Sequence, residues 1–252
     1  MLRADDIQVR FGGVRALNDA SIEATSGEVT GLIGPNGAGK TTLFNVLTGL
    51  QRPDRGRVLM DDRDITALRP WARGSLGIGR TFQRLELFGS LTALENILVP
   101  LEARKRPGRR KGCRAAAAEV LERAGIEAYA GKRADTLPTG IGRLLELARA
   151  IASDPKVLLL DEGSAGLDAD ESRNFGKLIG QLAQDGIAVL LVEHDMELVM
   201  AVCRHIYVLD FGEVIATGSP AEVASSPRVR AAYLGGDGLG SQAVVSDTTG
   251  ES

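Results

Sequence analysis

The chain has 252 residues, of which 44% are hydrophobic and 25% are charged, a composition typical of one large α/β domain or of a main domain with a smaller insertion. A net charge of −3 and an aromatic content of 4% argue against nucleic acid as a partner, because neither a basic field nor stacking platforms are available. Cys113 and Cys203 have no metal-type spacing, so we expect free thiols.

The first part of the chain predicts strands, turns and one helix. Alternating side chains over residues 7–11 and 20–24 indicate an antiparallel start, which includes a third strand over 27–33. A glycine-rich loop follows this strand directly. Residues 40–50 predict a helix whose apolar face is formed by Leu43, Val46, Leu47 and Leu50. We expect no signal peptide or membrane span, because the first residues lack an apolar segment and the longest apolar runs are strand-sized.

The middle of the chain has a different pattern. Residues 91–134 carry leucine and alanine at helical spacing. A basic run over 104–114 interrupts them, and its proline and glycines favour a solvated loop between two helices. A contact with nucleic acid or lipid is the less favoured alternative for this run.

Strands and helices alternate again in the second half, which predicts a mostly parallel sheet with helices on both faces. Apolar runs predict strands at 157–160, 187–192 and 206–209. The predicted helices cover residues 143–153, 171–184 and 196–203. We expect the polar segment over 236–252 to be a disordered tail.

The glycine-rich loop matches the phosphate-binding pattern G-x-x-x-x-G-K-T, with the required strand before it and helix after it. Backbone N–H groups in such a loop surround a phosphate, and the helix N-terminus adds a favourable dipole. Lys40 supplies a charge to the β- and γ-phosphates, and the Thr41 hydroxyl can bind Mg²⁺. A chance glycine turn is the alternative, which the context disfavours. We predict that ATP is bound by Gly34, Pro35, Asn36, Gly37, Ala38, Gly39, Lys40, Thr41 and Thr42.

Two carboxylates follow the apolar strand at 157–160. Asp161 lies at the sheet edge where open α/β sheets bind ligands, and it is a candidate Mg²⁺ carboxylate. Glu162 is suited to polarise a water in line with the γ-phosphate. Such pairs are also helix N-caps in many proteins, and the phosphate loop favours the metal interpretation. His194 follows the next buried strand and is a candidate γ-phosphate sensor, whereas His205 is interpreted as structural.

These motifs, in this order, resemble the nucleotide-binding subunit of an ABC transporter over residues 2–235. The motifs are a Walker A loop at 34–42, a Q-loop at Gln83, a Walker B strand ending at Asp161 and Glu162, a D-loop at Asp168 and an H-loop at His194. The resemblance implies an ABC-type P-loop NTPase fold. Its mostly parallel core would carry an N-terminal antiparallel β subdomain and an inserted helical subdomain at about residues 84–150.

The resemblance also implies roles for individual residues. The catalytic side chains would be Glu162, His194 and Gln83. Mg²⁺ would be held by Thr41, Gln83 and Asp161. Phe11 would stack on the adenine ring, and Gln83 would report the γ-phosphate to the transmembrane partner. In the family two such subunits form a head-to-tail dimer, so ATP would also contact the partner's equivalents of Leu137, Gly140 and Asp168.

Several segments look more specifically like the subunits that energise branched-chain amino acid import. They are residues 10–13, 45–49, 79–83, 192–196 and 230–235. Close relatives that drive urea uptake or lipopolysaccharide export share much of this pattern. The resemblance implies transmembrane permease subunits, an indirect solute-binding protein and a peripheral place at the cytoplasmic face of the inner membrane.

Two other functions are alternatives to transport. A soluble ABC-type ATPase that acts on DNA or the ribosome usually has a coiled-coil insertion or tandem ATPase domains, and this sequence has neither. A non-catalytic regulatory half would bind ATP without hydrolysing it. This alternative is disfavoured because the sequence has all four side chains expected for hydrolysis, which are Lys40, Asp161, Glu162 and His194.

The sequence departs from the family at the signature motif, which usually reads Leu-Ser-Gly-Gly-Gln. The aligned residues are Leu-Pro-Thr-Gly-Ile over 137–141, so only Leu137 and Gly140 match. Pro138 offers neither a hydroxyl nor an N–H to the γ-phosphate, and Ile141 cannot form hydrogen bonds through its side chain. Gly163 also replaces the proline that usually follows the Walker B glutamate. We therefore expect the two ATP sites of a dimer to differ.

Overall fold

The computed structural model describes residues 1–104 and 112–234. Within these ranges the strands are β1 (Leu2–Phe11), β2 (Val14–Ala24), β3 (Val29–Ile33), β4 (Arg55–Met60), β5 (Arg63–Asp64), β6 (Ile78–Arg80), β7 (Val157–Asp161), β8 (Ala188–Val192), β9 (His205–Asp210) and β10 (Glu213–Gly218). The α-helices are α1 (Lys40–Thr48), α2 (Pro70–Ser75), α3 (Ala93–Arg104), α4 (Cys113–Arg123), α5 (Thr139–Ala152), α6 (Ala169–Gln184), α7 (Met196–Val202), α8 (Pro220–Ser225) and α9 (Pro227–Leu234).

Two of the sequence predictions fall largely or wholly outside the described residues. The first is most of the predicted loop over 104–114. The ends of this range are helical, because α3 ends at residue 104 and α4 begins at Cys113. The predicted tail over 236–252 is the other. Across the two ranges that the structure does describe, no helix is both long and apolar enough to span a membrane.

An antiparallel sheet of four strands, in the order β2-β1-β4-β5, forms the N-terminal part. The antiparallel start predicted over 7–11 and 20–24 is confirmed: β1 and β2 are joined at Gly12 and Gly13, with Phe11 opposite Val14. Alternate residues of β1, such as Ile7, are buried in a core that also contains one face of α1. This alternation is expected for strands that have one face on a core.

The prediction that residues 27–33 belong to this antiparallel start is wrong. β3 lies in the second sheet, where it pairs in parallel with both β8 and β9. All five of its residues are buried, so the strand lacks the alternation of a one-sided strand. It therefore fits a sheet that is covered on both faces.

The second sheet has the order β10-β9-β3-β8-β7-β6, and its strands are parallel except for the edge strand β10. Every residue of β3, β7 and β8 is buried. The predicted, mostly parallel sheet is therefore confirmed. Because β6, β7 and β8 run side by side in the same direction, the loops after them meet at one sheet edge, which positions the candidate site.

Helices α3, α4 and α5 lie between β6 and β7 in the chain and pack into the same core as one face of the parallel sheet. The helix predicted over 143–153 begins four residues earlier, at Thr139, directly after the extended Pro138. Gly140 and Gly142 hide this start in the sequence, because glycine is a poor helix former. The early start places the last three residues of the degenerate signature, 139–141, in the first turn of α5, and Leu137 and Pro138 directly before it.

The helix predicted over 40–50 ends two residues early, because Gly49 adopts a left-handed conformation with φ of 80° and terminates it. Leu43, Val46 and Leu47 are buried as predicted. Leu50, predicted on the same face, lies beyond the helix end and is 56% exposed. The prediction for Leu50 is therefore wrong.

The end of α1 is held by Arg73, whose side chain is almost completely buried. Its guanidinium donates hydrogen bonds to the carbonyl oxygens of Val46 (2.6 Å) and Leu47 (2.7 Å) at the end of this helix. It also bonds the carbonyl oxygens of Thr66 and Leu68. Burial lowers the pKa of Arg73 to about 10, so the side chain stays charged at neutral pH.

We expect Arg73→Met to lower the free energy of unfolding by about 3 kcal/mol, because buried carbonyl oxygens lose charged donors and find no replacement. Urea denaturation at neutral pH measures the change. Arg69→Met, at the exposed residue before α2, is the matched control and is expected to change the free energy by less than about 0.5 kcal/mol. Equal effects of the two substitutions would contradict the assignment.

Candidate nucleotide site

The predicted phosphate loop connects β3 to α1, and two of its glycines are required by the path of the backbone. Gly34 lies against β9, where a Cβ atom would come within 2.0 Å of the Leu209 carbonyl oxygen. Gly39 has φ of 106°, and a Cβ there would lie 2.6 Å from the Ala16 carbonyl oxygen. No other residue fits either position without moving the backbone.

Lys40 is the first residue of α1 and is largely buried beneath this loop. Its Nζ donates hydrogen bonds to the carbonyl oxygens of Gly34 (2.6 Å) and Pro35 (2.9 Å). Desolvation lowers the pKa of Lys40, and the nearby carboxylates of Glu162 and Asp161 counteract this effect. The loop thus holds an ammonium group beside two acids.

A cavity of about 370 Å³ opens beside the loop. Its wall combines the phosphate loop with side chains from the distant loops after β6 and β7. The predicted site residues that line it are Asn36, Gly37, Ala38, Gly39, Lys40, Thr41, Thr42, Gln83 and Glu162. Gly34 and Pro35 are joined to this group through their bonds with Lys40. Residues far apart in sequence therefore meet at one cavity.

Glu162 is the centre of a hydrogen-bonded group. Its Oε2 accepts a hydrogen bond from Gln83 Nε2 at 3.1 Å, and its Oε1 lies 2.8 Å from His194 Nε2. The Glu162 side chain is 22% exposed and that of His194 is 50% exposed, so the carboxylate is the more shielded partner. The three residues predicted to be catalytic are thus in direct contact.

The backbone of Glu162 is unusual, because its φ of 52° lies in the left-handed region. Its N–H donates a hydrogen bond to the Val192 carbonyl oxygen at 2.9 Å, which holds the residue against the end of β8. Non-glycine residues in this region are strained by roughly 1–3 kcal/mol, and such strain concentrates at functional sites. The fold therefore maintains an unfavourable conformation at this position.

Asp161 is buried and does not line the cavity among the described residues. Its Oδ2 forms an ion pair with Arg80 Nη2 at 3.0 Å. Burial raises the pKa of Asp161, while the hydrogen bond and charge of Arg80 lower it. No local pattern in the sequence indicates Arg80 as a partner of this acid.

The sequence model described as ABC transporter matches residues 17–165, which is more than half of the chain. The chain belongs to the ABC transporter family. It is accordingly an ABC transporter ATPase, an ATP-binding protein whose activity is coupled to transport. A second model, described as branched-chain amino acid ATP-binding cassette transporter, matches residues 213–238.

Curated relatives cover nearly the whole ATPase. LivG, a high-affinity branched-chain amino acid transport ATP-binding protein of Escherichia coli strain K12, is 38% identical over 93% of this chain and 98% of its own. LptB, a lipopolysaccharide export system ATP-binding protein of Haemophilus influenzae, is 36% identical over 93% of this chain and 97% of its own. The predicted similarity to both subfamilies is confirmed.

Solved structures confirm the predicted ABC fold. The ADP conformation of MJ1267, an ATP-binding cassette of an ABC transporter, has a TM-score of 0.84 and 33% identity over 94% of this chain and 99% of its own. A dimeric post-hydrolysis state of the cassette MJ0796, bound to ADP and Pi, has a TM-score of 0.80 and 28% identity over 87% of this chain and 99% of its own. These likenesses support nucleotide binding by the ABC transporter ATPase.

Gly163 replaces the proline that the resemblance leads one to expect, and the packing explains this departure. A Cβ atom at Gly163 would lie 2.6 Å from Cζ of the buried Phe175 ring on α6. The ring thus occupies the space that a side chain would need. A proline here would also restrict the conformation of Glu162, which glycine leaves free.

The degenerate signature and the D-loop of the ATPase touch each other. Asp168 caps α6 by accepting hydrogen bonds from the N–H groups of Asp170 and Glu171. The Glu171 carboxylate accepts a hydrogen bond from the Asp168 N–H. The same carboxylate lies against Gly140, where an added Cβ atom would be 2.6 Å from Glu171 Oε2. These contacts give Asp168 and Gly140 clear structural roles.

Besides Gly34 and Pro35, four predicted nucleotide contacts do not line the cavity of the single chain. Phe11 is 52% exposed at the end of β1, and Leu137 is half-buried in front of α5. Neither lines the cavity among the described residues, and neither do Asp168 and Gly140. Their predicted roles toward ATP therefore remain predictions.

Glu193 is a buried acid next to the site, and its role is not predicted from the sequence. Its carboxylate accepts hydrogen bonds from the Ser164 N–H (2.7 Å) and the Ser164 hydroxyl (2.8 Å). Burial raises the pKa of Glu193, and these hydrogen bonds oppose that shift. Because Ser164 begins the segment leading to Asp168, Glu193 ties the D-loop to the loop that carries His194.

A buried ion pair on α5 holds the Q-loop. Glu146 accepts hydrogen bonds from the N–H groups of Phe82 (3.2 Å) and Glu86 (3.4 Å). Arg143 pairs with Glu146 at 3.3 Å and donates hydrogen bonds to the carbonyl oxygens of Phe82 and Gln83. Helix α5 thus fixes the backbone on both sides of the Gln83 side chain.

Glu146 makes stability depend on pH, because burial raises its pKa above the usual value of 4.5. The folded protein then binds this proton more tightly than the unfolded chain, so the contribution of Glu146 to stability is largest below pH 4.5 and falls as pH rises through the folded pKa. We expect the unfolding free energy of the wild type, relative to Glu146→Gln, to decrease above pH 4.5. A pH-independent difference in urea denaturation would contradict this.

The residues present fit the Mg²⁺ that the family implies. The candidate donors are a hydroxyl, a side-chain amide oxygen and a carboxylate, from Thr41, Gln83 and Asp161. These are the hard oxygen ligands that Mg²⁺ prefers. In the described part of the chain, no group of three or more His, Cys, Asp or Glu side chains could hold a metal. Mg²⁺ is usually bound through one or two carboxylates together with substrate phosphates.

Proposed function

We propose that the chain binds ATP with Mg²⁺ at the phosphate loop and hydrolyses it with Glu162 as the residue that orients or deprotonates the attacking water. The main support for this proposal is the contact of the Glu162 carboxylate with Gln83 and His194 at the edge of the phosphate-loop cavity. In phosphoryl transfer, positioning and charge neutralisation provide most of the catalysis. In our proposal, Gln83 and His194, the two partners of Glu162, contribute to positioning and to charge neutralisation.

Each group has a separate task in this mechanism. Lys40 gives its ammonium to the β- and γ-phosphates in place of the two loop carbonyl oxygens that it now contacts. His194 contacts the γ-phosphate and holds Glu162, and Gln83 positions the water. Bound Mg²⁺, held by Thr41, Gln83 and Asp161, would neutralise charge on the phosphates.

The site is completed by a second ATPase subunit. Phe11 is exposed enough to stack on an adenine, and Pro138 and Thr139, where the chain enters α5, are exposed and free to face a partner. Leu137, Gly140 and Asp168 would then contact the ATP of the partner subunit. The likeness to a cassette described as dimeric with ADP and Pi supports this arrangement. Binding of two ATP molecules would shift the pair toward closure.

The transported solutes are proposed to be branched-chain amino acids, taken up across the cytoplasmic membrane. The match of residues 213–238 to the branched-chain amino acid model and the likeness to LivG support this choice. The ATPase would lie at the cytoplasmic face of the inner membrane, bound to transmembrane permease subunits that work with a solute-binding protein. We propose residues 2–235 as the ATP-binding domain, with the helical subdomain at about 84–150 contacting the permeases.

Uptake in the host cell tests the transport proposal. Deletion of the gene is expected to abolish high-affinity uptake of labelled leucine, isoleucine and valine, and the intact gene should restore it. A copy with Lys40→Ala should not restore uptake, whereas a copy with Glu197→Gln, an exposed acid on α7, should do so. Unchanged amino acid uptake together with lost urea uptake or lost lipopolysaccharide export would contradict the proposal in favour of the related transporters.

A further inference from the structure

We propose that Arg80 is a positioning residue for the Mg²⁺ carboxylate. Its guanidinium fixes Oδ2 of Asp161 and leaves Oδ1 as the oxygen available to the metal. This inference rests on the proposed function of Asp161. It goes beyond it by assigning a role to a residue that belongs to none of the phosphate-loop, Walker B, Q-loop or H-loop positions. The contacts that carry it lie on three different elements.

Arg80 is itself held rigidly. It is the last residue of β6, and its side chain is only 8% exposed. Nη1 donates a hydrogen bond to Asn45 Oδ1 on α1 at 2.7 Å. The guanidinium also lies 5.6 Å from the centroid of the Phe44 ring and 5.0 Å from that of Phe82, within the range of cation–π contacts. An arginine fixed on several sides gives its planar fork a defined direction.

The acid that receives this fork is equally constrained. The Asp161 side chain is 5% exposed, and Arg80 Nη2 lies 3.0 Å from its Oδ2. The Asp161 N–H donates a hydrogen bond to the Thr81 hydroxyl at 3.2 Å. One carboxylate oxygen and the backbone are therefore occupied, and both partners are consecutive residues at the end of β6.

The same segment carries another proposed metal ligand. Gln83 follows Arg80 by three residues, and it reaches the cavity that Thr41 lines. Arg80 thus ties the carboxylate of the Walker B strand to the segment that delivers the Q-loop amide. A residue that orients ligands from outside the metal coordination typically changes metal affinity 10- to 100-fold when it is replaced. Metal affinity, and not only stability, should therefore depend on Arg80.

The test is a titration of Mn²⁺ into the full chain with ADP, followed by the electron paramagnetic resonance signal of free Mn²⁺. We expect Arg80→Gln to weaken Mn²⁺ binding to the ADP complex about 10-fold. Its affinity for ADP in EDTA should stay within about twofold of the wild type, because the phosphate loop is unchanged. Arg80→Lys keeps the positive charge but lacks the planar guanidinium, so its Mn²⁺ affinity should lie between those of the wild type and Arg80→Gln. Arg173→Gln, on the exposed face of α6, is the matched control.

The outcomes separate this inference from the proposed function. Equal Mn²⁺ affinity in Arg80→Gln and the wild type would overturn the role of Arg80 alone. A wild type without metal-dependent ADP binding would overturn both. Where Arg80→Gln does not fold, Arg80→Lys and Asn45→Ala replace it, and unchanged Mn²⁺ affinity in both variants would overturn the inference. In the background of Asp161→Asn, replacement of Arg80 should have no further effect on Mn²⁺ affinity.

Discussion

Glu162→Gln is expected to lower ATP turnover by about 10²- to 10⁴-fold, the contribution of a general base, while nucleotide binding is retained. The amide keeps the size of the carboxylate and can still accept the hydrogen bond from Gln83, but it cannot take a proton. Because the substitution leaves Lys40 and the backbone of the phosphate loop unchanged, we expect nucleotide binding to be retained. Phosphate release and binding of a fluorescent ATP analogue measure the two properties separately.

Glu197→Gln is the control for this prediction, since it removes one exposed carboxylate from α7 without touching the cavity. It should leave turnover unchanged. A turnover of Glu162→Gln within a few-fold of the wild type would show that another group activates water. Loss of nucleotide binding in the same variant would instead mean that the strained loop at Glu162 had rearranged.

The degenerate signature is expected to make the two ATP sites of a pair unequal. In a complex with a partner that has an intact signature, Glu162→Gln should remove most of the turnover. Replacement of the partner's Walker B glutamate should cause a loss of turnover at least about tenfold smaller. That glutamate acts in the ATP site that is completed by Pro138 and Ile141 of this chain. Loss of even one hydrogen bond to a charged phosphate costs roughly 1.5–3 kcal/mol. Equal losses from the two replacements in the purified complex would rule out this asymmetry.

A gain-of-function variant complements this experiment. Pro138→Ser restores the missing hydroxyl at the residue before α5, and serine is also a favourable N-cap, so the helix should tolerate it. We expect turnover at the site completed by this chain to rise, with Glu162→Gln in the same chain used to silence the other site. Ile141→Gln is a poorer test, because Ile141 is buried against the core and its replacement would also destabilise the protein.

The main elements of the fold could be predicted because their signals are local. The fully apolar run of β7 indicates a strand that is covered on both faces, and the loop before Lys40 carries its own pattern. The assignment of β3 to the wrong sheet has the opposite cause. Its partners β8 and β9 lie more than 150 residues later in the chain, and nothing within residues 27–33 identifies them.

The buried charged residues of the site were even harder to predict from local sequence than the position of β3. From sequence, Arg143 and Glu146 look like a solvated pair on one helix face, which is the usual reading of charges at that spacing. In the folded protein both are buried, and Glu146 accepts hydrogen bonds from the N–H groups of Phe82 and Glu86. The contact of Arg80 with Asp161 likewise depends on the register of β6 beside β7, which pairs Arg80 with Leu159. Tertiary contacts of this kind are invisible to local patterns.

The pair formed by Arg143 and Glu146 has a consequence for communication within a dimer. Helix α5 begins with the residues that would contact the partner's ATP, and the same helix grips the backbone around Gln83, which belongs to the chain's own site. We expect a movement of α5 to change the backbone around Gln83 through these contacts. Each subunit would then act as a rigid lever between the two nucleotides, so that occupancy of one site is sensed at the other through a single buried ion pair.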